Sequence, residues 1–152
     1  HPHYDHTGGV RALASLGANV LVASGHEGEL RKLLAAPHTN PPDALARAIA
    51  AGKKTGSVEL FRRHTQIEEG TQTLELFEVM GIPHVQPKVL AYDPESGVLF
   101  QSDLFFGGPG ADASALFDAI AANKMKVSQI VGGHGGVLPY AALADAVKGG
   151  TR

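Results

Sequence analysis

The chain has no cysteine and no tryptophan. Without cysteine there can be no disulfide and no thiolate ligand, so any metal must be held by His, Asp and Glu. Charge is also scarce, at 18% of residues with a net of -2, and no nucleic-acid partner is expected of so weak a basic footprint. No apolar run reaches the roughly 18 residues of a membrane span, so no membrane partner is expected either. Low-complexity tracts are absent, because the 19 glycines and nine prolines are dispersed. A chain that opens inside a motif does not show what preceded it, and cysteine usage fits cytoplasm and periplasm alike, so localisation stays open. What is present is 152 residues with 43% hydrophobic content, about one domain's worth and enough for a real core.

The densest chemistry lies in the first six residues, His1-Pro2-His3-Tyr4-Asp5-His6, running into Thr7-Gly8-Gly9. Residues at i and i+2 of an extended segment point the same way, so His1 and His3 can share a metal. Asp5 and His6 fall where the chain turns into a helix and can face a second metal. Zinc and similar divalent ions accept imidazole nitrogen and carboxylate oxygen. A solvated His-rich terminus or a tag remnant is the plain alternative. Tags are usually homopolymeric, whereas this segment mixes His with Asp and leads into an amphipathic pattern.

Further on, Val10, Leu13, Ala14 and Leu16 recur at helical spacing up to Gly17. Asn19 to Ala23 reads as a short buried strand, and Glu29 to Ala36 as a helix opened by His26-Glu27-Gly28. Pro37 to Pro42 is a loop, followed by a helix from Asp43 to Ala51. Ser57 to Arg63 and Thr71 to Met80 read as a strand pair forming a hairpin across Ile67-Glu68-Glu69-Gly70. Lys88 to Tyr92 and Val98 to Asp103 are strands joined by the turn Asp93-Pro94-Glu95-Ser96-Gly97. A helix from Asp112 to Met125, a strand from Val127 to Val131, the run Gly132-Gly133-His134-Gly135-Gly136 and a helix from Pro139 to Val147 complete an α/β order.

Asp103 and His134 stand at the ends of expected strands, and His84 just before one. Strand ends that open onto loops hold side chains rigidly while leaving room for a substrate. Each residue taken alone is more often a cap or a surface group; with the opening cluster they read as ligands. Among the other histidines, His26 reads as a helix-start or supporting residue, His38 as a solvated loop residue that could border a pocket, and His64 as a solvated strand end. Tyr4 either packs beside the motif or offers a hydroxyl to it.

These residues carry a resemblance. His1-Pro2-His3-Tyr4-Asp5-His6 resembles the H-x-H-x-D-H signature of the metallo-β-lactamase superfamily. His84, with Asp103 nineteen residues on, resembles that family's third His and bridging Asp. Val131-Gly132-Gly133-His134-Gly135 is similar to its final Gly-His-Gly segment. The resemblance implies an αβ/βα sandwich and two zinc ions. His1, His3 and His84 would hold one, Asp5, His6 and His134 the other, and Asp103 would bridge them. A hydroxide between the metals would attack a carbonyl carbon, with Asp5 orienting or shuttling the proton.

Within that family, Asp103 argues against the true β-lactamases and His3 against the flavodiiron type. The segments around Pro83-His84 and Leu99 to Phe105 are similar to a loosely defined group of bacterial hydrolases. The expected activity is hydrolysis of a small-molecule ester, lactone or thioester. The signature normally lies well inside the first half of the fold, so residues 1–152 are expected to be a single, truncated domain lacking its N-terminal strands. They would pair with the missing half or with another chain. Two alternatives stay open. One is a non-catalytic or partner-completed metal-binding fragment. The other is a copper histidine brace on His1, where Pro2 has no amide N–H to offer the metal.

Overall fold

A computed structural model describes residues 1–150. The chain divides into two compact units, one comprising His1–Arg62 and a second beginning at Arg63. Among the described residues, no helix is long and apolar enough to cross a membrane.

The first unit holds α1 (Tyr4–Thr7), α2 (Val10–Ser15), β1 (Val20–Ala23), α3 (Glu27–Ala35), α4 (Ala44–Ala50) and β2 (Val58–Phe61). The two strands pair in parallel, Val20 opposite Val58. Val22, Leu30 and Val58 form its buried cluster, with Val10, Val20, Leu33 and Leu34 packed against them. The helices are tied by a single guanidinium. Arg11, 8% exposed, grips the Asp43 carboxylate through Nε (2.5 Å) and Nη2 (3.1 Å). Its Nη1 donates to the carbonyls of Leu33 and Leu34, satisfying acceptors that the end of α3 would leave open. Asp43 in turn caps α4 by accepting from the Ala46 N–H at 2.8 Å. Gly56 is required where it stands, because a Cβ there would lie 1.8 Å from the Ala18 carbonyl oxygen.

The second unit holds a six-stranded sheet in the order β3-β4-β5-β6-β7-β8, formed by His64–Glu69, Gln72–Val79, Lys88–Asp93, Val98–Ser102, Gln129–Gly132 and Val137–Pro139. Neighbouring strands run antiparallel except β6 and β7, which are parallel and joined through α5 (Ala111–Ala122). A final helix, α6 (Tyr140–Gly149), follows β8. Alternate residues of the strands supply the core: Phe77 and Val79, Leu90 and Tyr92, Leu99 and Ile130. Leu116 and Ile120 of α5 and Leu143 of α6 close over them. Fully burying an aliphatic side chain of this kind contributes roughly 1.5–3 kcal/mol.

Three expectations are corrected. The hairpin does not join Ser57–Arg63 to Thr71–Met80. Val58–Phe61 pairs with β1, and the segment read as a connector is itself strand β3, turning at Gly70 (φ 62°) into β4. Period-2 alternation marks a strand but not its partner, and β3 hides because it lies at the sheet edge, with Ile67 as its sole large aliphatic residue. The helix expected to reach Met125 stops at Ala122, where the Asn123 side chain caps the Ala119 carbonyl and Lys124 takes a left-handed φ of 54°. Met125 is nonetheless buried. Finally, Val137–Pro139 forms a short strand ahead of the last helix.

Candidate metal centre

In the first unit the opening motif is built on His3. Its backbone is extended (φ -60°, ψ 147°), and its carbonyl accepts from the His6 and Thr7 N–H groups at 3.0 and 3.1 Å. The Thr7 hydroxyl donates to the same oxygen at 3.1 Å. The turn that carries Asp5 and His6 is therefore anchored on the residue before it. Pro2 separates two imidazoles that meet, His1 Nε2 to His3 Nδ1, at 3.0 Å. The His1 and His6 rings lie 4.4 Å apart, and His6 Nε2 stands 3.5 Å from Asp5 Oδ2. The donors of His1 and His3 thus fall in one group and those of Asp5 and His6 in another, within six residues of chain. Ligand atoms about 2.0–2.1 Å from a tetrahedral zinc stand about 3.3 Å from one another, so these separations suit metal ligands.

Tyr4, 88% exposed, is not packed beside the motif. It lines a cavity of about 350 Å³ with Thr7, Arg11, Leu33, His38 and Asp43, which gives the exposed His38 its place at a pocket rim. The Arg11 guanidinium and the Ala46 N–H hold the Asp43 carboxyl well below the usual carboxylate range. His26 stands at the N-cap position of α3 without a side-chain capping bond, buried, with Nδ1 3.7 Å from Glu29. His64 opens β3, exposed, stacked on Phe77 and 2.9 Å from Glu75.

In the second unit the structure brings His84 and Asp103 together, Nε2 to Oδ2, at 2.9 Å. His84 lies between β4 and β5, and its N–H donates to Asp112 at the start of α5 (3.1 Å). Asp103 follows β6 and is 8% exposed. Two devices set its position. Before it, Ser102 takes a positive φ of 69°, an uncommon conformation for a residue with a side chain, where the β6–β7 register shifts. Around it, the buried Gln101 side chain clamps the chain, its Oε1 accepting from Leu104 (2.5 Å) and Phe105 (3.1 Å) and its Nε2 donating to the Phe105 carbonyl.

His134 sits in the glycine-rich loop after β7, exposed. The Gly133 and His134 N–H groups both point at the Ser102 carbonyl, at 2.6 and 3.4 Å. A Cβ on Gly132 would fall 2.0 Å from the His134 carbonyl oxygen, so glycine is needed for this close return. Ser102 therefore organises the backbone of two expected ligands.

A family model for the metallo-β-lactamase superfamily matches residues 1–141. The chain belongs to the metallo-β-lactamase superfamily. Among solved structures, a metallo-β-lactamase from Pontibacter korlensis is 21% identical, with a TM-score of 0.61 over 97% of this chain and 65% of its own. An archaeal metallo-β-lactamase superfamily protein from Sulfolobus tokodaii is 17% identical, with a TM-score of 0.62 over 100% of this chain and 66% of its own. A stereoselective inverting sec-alkylsulfatase from Pseudomonas sp. is 15% identical, with a TM-score of 0.53 over 90% of this chain and 28% of its own. At these identities the likeness shows the metallo-β-lactamase fold alone. The chain spans just under two thirds of the first of these relatives. No curated protein is similar enough to count as a relative.

Lys88, Gln101 and Ser102 were not visible as site residues from the pattern alone. Lys88 had a signal: it shares the alternating face of Leu90 and Tyr92, where a charge calls for a partner.

Proposed function

We propose that this chain carries the ligand set of a dinuclear zinc hydrolase acting on an ester, lactone or thioester carbonyl. One observation carries the reading. In a chain of this superfamily, His1 with His3 and His84 with Asp103 hold their donor atoms at 3.0 and 2.9 Å, the spacing of ligands around a common ion. His1, His3 and His84 would hold one zinc, Asp5, His6 and His134 the other, and Asp103 would bridge them. Bound there, the metals supply Lewis acidity and a nucleophilic water at neutral pH. The protein's own part is to fix the donors through the His3 carbonyl anchor, the Gln101 clamp and the Ser102 turn. Asp5, which is exposed, would hold and pass the proton to the departing group. An aspartate rather than a cysteine at the bridging position favours a substrate other than a β-lactam.

Metal analysis of the purified chain, followed by assays with ester, lactone, thioester and β-lactam substrates, tests the proposal. Two zinc per chain and hydrolysis of one of the first three classes are expected. Asp103→Ala should lose metal and activity together. Two metals retained tightly in that variant would remove Asp103 from the ligand set. A single copper per chain would favour the histidine brace, and zinc without turnover a binding fragment.

A further inference from the structure

We propose that Lys88 is the positioning residue for the Asp103 carboxylate; the inference rests on the metal-site reading above. Lys88 opens β5, opposite Val79 of β4, and its side chain is fully buried. Its face continues into Leu90 and Tyr92 of the core. An ammonium there is costly unless an anion meets it. Lys88 Nζ pairs with Asp103 Oδ1, while Asp103 Oδ2 faces His84 Nε2 at 2.9 Å. The two oxygens are thereby given different work. Oδ1 is tied to the strand-borne cation, and Oδ2 is presented on the imidazole side.

A carboxylate held by one oxygen cannot rotate freely about its last torsion. Its Oδ2 stays on the His84 side, where the backbone devices at Gln101 and Ser102 aim it. Partners that orient a ligand from behind set metal affinity nearly as strongly as the ligands do. Lys88 thus acts through Asp103 and touches neither substrate nor the reacting atoms.

The test is zinc titration of the full 152-residue chain and its variants. Lys88→Met keeps most of the side-chain volume and removes the charge. It should weaken zinc binding about 10–100-fold, as loss of an orienting partner does. In the D103N background the same substitution should change zinc affinity by no more than about twofold, because residues acting through one contact are not additive. Equal losses in both backgrounds would mark Lys88 as a general structural residue and overturn the inference. Zinc bound by the parent and unaffected in K88M would also overturn it, while leaving the metal-site reading intact. No zinc bound by the parent would overturn both. Should K88M fail to fold, the double variant decides: recovery of the fold in K88M/D103N supports the pairing, and failure there as well overturns it.

Discussion

Gly133 donates its N–H to the Ser102 carbonyl at 2.6 Å, so the loop bearing His134 is tied to the residue that precedes Asp103. One strained residue therefore sets two backbone positions at once, and a disturbance on either side is transmitted to both.

The first consequence concerns Gly132. A methyl group there collides with the His134 carbonyl oxygen, so Gly132→Ala must push the loop away from Ser102. We expect a stability loss of about 1–3 kcal/mol, the range for backbone strain, with weakened zinc binding. Urea denaturation and zinc titration check it, and an unchanged midpoint would show that the loop gives way freely.

Ser102→Gly should have the opposite sign. Glycine takes a φ of 69° without the penalty of a Cβ, so the substitution should be neutral or stabilising by up to about 1 kcal/mol. Ser102→Val should be clearly less stable than either. Comparing the three denaturation midpoints separates conformational strain from the loss of the hydroxyl.

Gln101→Leu preserves bulk and removes the clamp. The Leu104 and Phe105 N–H groups would lose their acceptor in a buried segment, at a cost of about 1–3 kcal/mol. Because Asp103 lies inside the clamped stretch, zinc affinity should fall with stability. A variant that loses stability but keeps zinc affinity would separate the clamp from the site.

Asp43 gives a pH dependence. Arg11 holds its carboxyl below the ordinary range, so the folded value lies under the unfolded one. Its stabilising contribution is then fully present above the unfolded value, near pH 3.9, and lost as the pH falls through the folded one. Asp43→Asn retains a side chain able to cap α4 but removes the ion pair. The variant should melt lower than the parent at pH 7, with the gap narrowing in strong acid. A gap that stays constant across that range would show that the ionised carboxylate is not the source of the difference.

His38→Ala should leave zinc content unchanged, because His38 is an exposed residue at the rim of the α1 cavity. Loss of a metal on that substitution would add His38 to the ligand set.

What the sequence could show follows from which signals are local. Helices α2, α3 and α4 were legible because apolar spacing and the Asp43 cap are written within a few residues. The β5–β6 turn was legible because Asp93, Pro94 and Gly97 each have a turn-specific role. The opening motif stood out because its ligand types are crowded into six positions. The partner of β2 was not legible, because strand pairing depends on residues far away in the chain. Nor was β3, an edge strand that has little to bury. Lys88 was not legible as a site residue because its partner, Asp103, lies fifteen positions later.

The parallel pairing of β6 and β7 has one more effect. Asp103 and His134 both follow the leading ends of these strands, while the turn at Pro94-Glu95-Ser96 precedes β6 at its trailing end. Five strand residues, about 16 Å of extended chain, separate the two ends. A fluorophore or surface tether attached at exposed Glu95 would thus be insulated from the loops that carry Asp103 and His134, leaving an engineer a handle on the quiet side of the sheet.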